Sequence, residues 1–107
     1  MKIKWQNDVY EVRALNAKEY LAIEKIVRQA KDIATDEPLS MEGGDFTIGL
    51  VVASTTKQDM QHLDWDEVVK MPAKLFQALS KAANDLNILS AKEEQELFFE
   101  SSTAEEE

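Results

Sequence analysis

Polar and apolar residues alternate from Lys2 to Trp5, which puts Ile3 and Trp5 on one side of an extended strand. Gln6-Asn7-Asp8 is a turn cluster. Val9 to Arg13 then alternates again, with Val9 or Tyr10 and Val12 as apolar cover. The pattern predicts a β-hairpin over about residues 1–14. Two strands alone are marginal in water, so this hairpin has to lean on a helix.

At Leu15 the apolar period changes from strand-like to helical. Asn16 can cap a helix, and Glu19 stands three residues on, as a capping box requires. Leu15 and Tyr20 flank the cap at hydrophobic-staple positions. Tyr20, Ile23, Val27, Ala30 and Ala34 recur at helical spacing, and Ile26 and Ile33 widen the stripe. The helix is expected to run to about Ala34. Thr35 to Gly44 holds Pro38 and a Gly pair, and reads as the one clear internal loop and the most mobile segment inside the fold.

Asp45 to Lys57 carries two periods at once. Phe46, Ile48, Leu50, Val51 and Val52 favour a strand by propensity. Asp45 is a good N-cap, and Phe46, Gly49 or Leu50, and Ala53 follow a helical face, so a buried helix is favoured. Gln58 to His62 reads as a polar connector. Asp64 can cap a short helix over Trp65 to Lys70, with Asp66 and Glu67 at the positive end of its dipole. Pro72 suits the first position of the next helix, where its missing N–H costs nothing. Leu75, Phe76, Leu79, Ala82 or Ala83, and Leu86 form that helix's stripe, and Asn87 is a credible stop. Ser90 and Glu93 make a second capping box, opening a last helix to about Glu100.

The expected fold is therefore mainly α: one small helical domain, residues 1–100, with an N-terminal β-hairpin packed on the helices (α+β). Ser101 to Glu107 is small and like-charged, and is expected to be a disordered acidic tail.

Composition narrows the function classes. A chain of 107 residues has room for one core. A net charge of −9 repels phosphate backbones and anionic lipid, so neither nucleic acid nor membrane is an expected partner. With no cysteine there are no disulfides or thiolate metal sites, and a reducing cytoplasm is compatible. Met1 to Asp8 lacks the apolar core of a signal peptide. Ile48 to Ala53 falls far short of the roughly 20 apolar residues a membrane span needs.

Catalytic signatures do not emerge. His62 is the only histidine, and Asp59, Asp64 and Asp66 lie near it without calcium-loop spacing, so no metal is expected. Asp66/Glu67 and Glu93/Glu94 read as solvated helix faces, since no apolar surround would separate their pKa values. Gly43-Gly44 lacks the phosphate-loop pattern. No catalytic residue, cofactor or enzyme activity is assigned. Among the aromatics, Trp5, Tyr10 and Tyr20 are expected to bury the hairpin against the first helix. Phe98 and Phe99 point about 100° apart on a helix. At least one faces outward as a partner anchor, or both pack against the Pro72 helix.

The order of features has a counterpart. A short hairpin leads into Val12-Arg13-Ala14-Leu15-Asn16-Ala17-Lys18-Glu19-Tyr20. An apolar middle segment and an Asp-rich lead-in to Val68-Val69-Lys70-Met71-Pro72 follow. A helix closing on Leu86-Asn87 precedes a short charged helix and an acidic tail. This resembles the tail assembly chaperones of long-tailed bacteriophages and prophages, over nearly the whole chain as an ordering, most specifically at Asp64–Asn87 and Leu15–Tyr20.

The resemblance implies a non-enzymatic, mainly helical protein of the bacterial host cytoplasm. Such proteins hold the helical tape measure protein soluble until tail-tube subunits polymerise, and are absent from the mature virion. The tail tube protein and a longer frameshifted form of the chain itself are further partners it implies. A homo-oligomer is also permitted by the wide apolar stripes. The expected partner surface runs along Leu75, Phe76 and Leu79 with Leu97, Phe98 and Phe99; the Leu75–Leu79 face also reads as core, which leaves Phe98 and Phe99 the better anchors. Met41, Met60 and Met71 would add plasticity to it. The alternatives are a structural tail or connector component retained in the virion, and a small acidic enzyme or metal-dependent regulator.

Overall fold

The computed structural model describes residues 1–40, 44–58 and 61–97. Its elements run β1 (Lys2–Trp5), β2 (Asp8–Val12), α1 (Ala17–Leu21), α2 (Ile23–Lys31), α3 (Asp45–Ser54), β3 (Thr55–Lys57), β4 (Gln61–His62), α4 (Trp65–Lys70) and α5 (Ala73–Asn87). Residues 91–97 are helical as well. The chain is a small α+β domain in which the expected N-terminal hairpin belongs to a larger sheet in contact with the helices.

The hairpin pairs Ile3 with Tyr10 and Trp5 with Asp8, leaving Gln6-Asn7 as a two-residue loop. Gln6 takes a positive φ of 53°, as tight hairpin turns demand. The Val12 N–H donates to the Met1 carbonyl, and the Met1 ammonium donates to the Val12 carbonyl, each at 2.8 Å. These bonds leave the Lys2 and Lys4 backbone facing the free edge, where their charges discourage strand addition.

The sheet has four antiparallel strands in the order β1-β2-β3-β4. The sequence reading missed β3 and β4. Thr55–Lys57 leaves helix α3 directly and pairs along Glu11 and Val12, and Gln61–His62 returns beside it. The segment from Asp45 to Lys57 is thus a helix, as favoured, that ends in a strand. The two competing periods report two elements in tandem.

α3 is apolar around most of its circumference because it lies between α2, α4 and α5. Gly49 marks a close approach to α2. A Cβ there would stand 2.8 Å from Ile23 Cγ2 and 3.2 Å from Val27 Cγ2, so the bare glycine lets α3 lie against α2. The helix is capped at Gly44 without a side-chain bond, not by Asp45. Asp45 instead pairs with Lys31 Nζ at 2.7 Å, which closes the loop between α2 and α3.

The predicted first helix is two segments joined through Ala22, and it ends at Lys31 rather than Ala34. Asp32 adopts the left-handed conformation and stops it, so Ala34 lies beyond the helix, and both Ala30 and Ala34 are exposed. The capping boxes at Asn16/Glu19 and Ser90/Glu93 form as read, with a further one at Asp64/Glu67. Pro72 is the N-cap of α5, one residue before the expected position.

The core joins Tyr10 and Val12 of β2 to Ile23, Val27, Leu50, Val51, Leu63, Val68, Leu75, Leu79, Ala82 and Ala83. The hairpin's main helical support is α5, not the first helix. Trp5 and Tyr10 do pack inward, but Tyr20 stays partly exposed and meets Phe46 edge-on, with ring centroids 5.9 Å apart. Met41, Gly43, Asp59, Met60, Phe98, Phe99 and the predicted disordered tail 101–107 lie outside the described residues.

Candidate functional site

Of the expected partner surface, the described residues divide between core and surface. Leu75 and Leu79 point into the core with almost no exposure, so no partner reaches them without opening the fold. An apolar stripe fits a core and a docking face equally well, and here the core takes it. Phe76 is half-buried and lines a shallow apolar recess of about 290 Å³ with Ile48, Val68, Val69, Met71 and Ala73. Leu97 is 59% exposed. Phe98 and Phe99 fall outside the described residues.

The larger concentration of exposed apolar surface lies elsewhere. Eight large apolar side chains are exposed among the described residues. Five of them, Tyr20, Leu21, Leu86, Leu89 and Leu97, belong to α1 or to the C-terminal end of α5 and its continuation. Leu21 is 73% and Leu89 51% exposed. Two recesses border Tyr20, Leu21 and Leu89. One, of about 360 Å³, is lined by Leu15, Asn16, Ala17, Tyr20, Leu21 and Asn87. The other, of about 460 Å³, is lined by Asn84, Asp85, Ile88, Leu89, Ser90 and Glu93.

Asn87 holds this end together. Its Oδ1 accepts the Leu15 N–H at 2.6 Å, and its Nδ2 donates to the Arg13 carbonyl at 3.2 Å and the Ala83 carbonyl at 3.1 Å. The residue read as a simple helix stop thus anchors the strand-to-helix linker to α5. Beside it, Arg13 Nη2 meets Glu19 Oε2 at 2.6 Å. The Glu19 carboxyl is held below its ordinary range by that guanidinium and by the Asn16 N–H. Arg13 is raised in turn, chiefly by its bond to Glu19.

Leu21 and Leu89 were not singled out from sequence. The available signal was that Leu21 falls outside the Tyr20-Ile23-Val27 stripe, and that Leu89 sits in the break between two helices.

Among the described residues, no group of three or more His, Asp or Glu side chains is arranged to hold a metal ion. His62 is exposed on β4, and Asp64 is engaged as a cap, accepting the Glu67 N–H at 2.8 Å. The buried hydroxyls of Thr55 and Ser80 have no hydrogen-bond partner among the described residues, and neither lines these recesses. No helix of the described residues is long and apolar enough to cross a membrane. Comparison with protein-family models, curated proteins and solved structures finds no match for this chain.

Proposed function

We propose that this chain is a tail assembly chaperone of a long-tailed phage or prophage. In this reading it binds apolar helices of the tape measure protein in the host cytoplasm and is left out of the finished virion. Its role is binding rather than catalysis.

The reading rests on the ordering of features described for the sequence. The observation that carries it is the set of exposed leucines at the α1–α5 end of an acidic domain. A client with long apolar helices aggregates when bare, and a holdase for it needs an apolar face on a soluble, like-charged body. Leu21 and Leu89 supply exposed apolar surface, and a net charge of −9 makes the body like-charged.

Co-expression with the tape measure protein encoded beside it tests the role. A soluble complex, and loss of client solubility when this chain is omitted, are the expected results. Unchanged solubility with no complex defeats the proposal. Mass spectrometry of purified particles separates a chaperone, which should be missing, from a retained tail component.

A further inference from the structure

We infer that the α1–α5 end is the docking surface and that it selects an amphipathic helix with basic residues flanking its apolar stripe. This rests on the reading that the chain binds a helical partner, and adds where that partner sits and what charge it carries.

The apolar half of the argument is geometric. Tyr20 and Leu21 border one recess, Leu89 borders the next, and Asn87 and Ile88 lie between them in the chain. Each recess can seat an apolar side chain of a partner helix. Asn87 ties the Leu15 wall of the first recess to α5, so that recess is held in place before a partner arrives. The recess beside Phe76 is smaller, and Val69 is its one strongly exposed large apolar residue.

The charge half selects the partner. Over residues 15–21 and 84–97, Arg13 neutralises Glu19. Asp85 and Glu93 line the second recess, which no basic residue among those described lines, and Glu94 and Glu96 stand exposed beyond them against Lys18, Lys81 and Lys92. A second copy of the chain would bring the same carboxylates and the same overall −9 against them. A helix with lysine or arginine beside its apolar stripe finds complementary charge instead.

The probes are a synthetic leucine–lysine amphipathic helix and a leucine–glutamate peptide of identical apolar spacing. Binding is followed by anisotropy, and by amide shift changes in labelled protein. The leucine–lysine peptide should bind at least about tenfold tighter than its acidic counterpart, a gap of about 1.4 kcal/mol. It should perturb Leu21, Leu86 and Leu89, and weaken as salt rises. The double variant L21S/L89S keeps every charge and alters exposed side chains only, so it should fold and lose about tenfold or more in affinity.

Undiminished binding by that variant would mean charge alone attracts the peptide, and would overturn the assignment. So would equal binding of both peptides, or shifts centred on Val69 and Met71. Self-association that outcompetes the peptide counts against it too. If the peptide maps as expected while tape measure solubility is untouched, the chaperone role fails and the surface stands.

Discussion

Asp32 ends α2 because its backbone turns left-handed, with φ 56° and ψ 45°. For a residue with a Cβ this conformation costs roughly 1–2 kcal/mol, somewhat less for aspartate, whose short polar side chain bonds locally. Its carboxylate also sits at the negative end of the helix dipole, with Arg28 and Lys31 in the last turn as partial compensation. Asp32→Gly should therefore stabilise the fold by about 1 kcal/mol, after the extra unfolded-state freedom of glycine is discounted. Urea unfolding checks this: the midpoint should rise at unchanged slope. A lower midpoint would mean that the aspartate makes a contact worth more than its strain. The expectation that the helix reached Ala34 failed at this residue. Apolar spacing continues through Ile33 and Ala34, and only the left-handed backbone at Asp32 breaks it.

At the scale of elements, the local signals, the hairpin among them, read well and the long-range pairings did not. Capping residues announce themselves because the bond runs three residues along the chain. Asn16, Asp64 and Ser90 were all legible for that reason. β3 was not, because Thr55–Lys57 is a strand only by virtue of β2 beside it, more than forty positions earlier in the chain. Asn87 is the same kind of case. Its bonds to Leu15 and Arg13 cross the whole domain and leave no mark on local sequence. Asn87→Ala should strand a part-buried N–H and carbonyl, costing about 2 kcal/mol. Asn87→Asp is nearly isosteric and still accepts from Leu15, yet it should cost at least as much. It faces the Arg13 and Ala83 carbonyls with an anion, at the negative end of α5. Thermal or urea unfolding of both variants distinguishes a hydrogen-bonded clamp from simple space filling, for which Asp would be the milder change.

For the molecule as a whole, the informative opposition is between its charge and its uncovered leucines. The sequence named the apolar stripes and read the Leu75–Leu79 face as core as well as partner surface, but did not single out the leucines left outside. Leu75 and Leu79 are core, while Leu21 and Leu89 are surface, and only the tertiary arrangement decides it. At neutral pH a charge of −9 keeps such surfaces apart. That protection vanishes near the isoelectric point of about 4.6. Sedimentation velocity should therefore show the average mass rising as pH falls toward this value, and L21S/L89S should suppress the rise. Acid unfolding would mimic the effect, so its sign has to be set apart. Glu19 has a depressed folded pKa, so its contribution is intact above the ordinary carboxylate range of about 4.3 and is lost as pH falls through the lower folded value. Near pH 4.6 the Arg13–Glu19 pair still holds, and circular dichroism should be unchanged while association proceeds. Association that requires lost ellipticity, or that L21S/L89S leaves untouched, would show that the exposed leucines are not the adhesive surface.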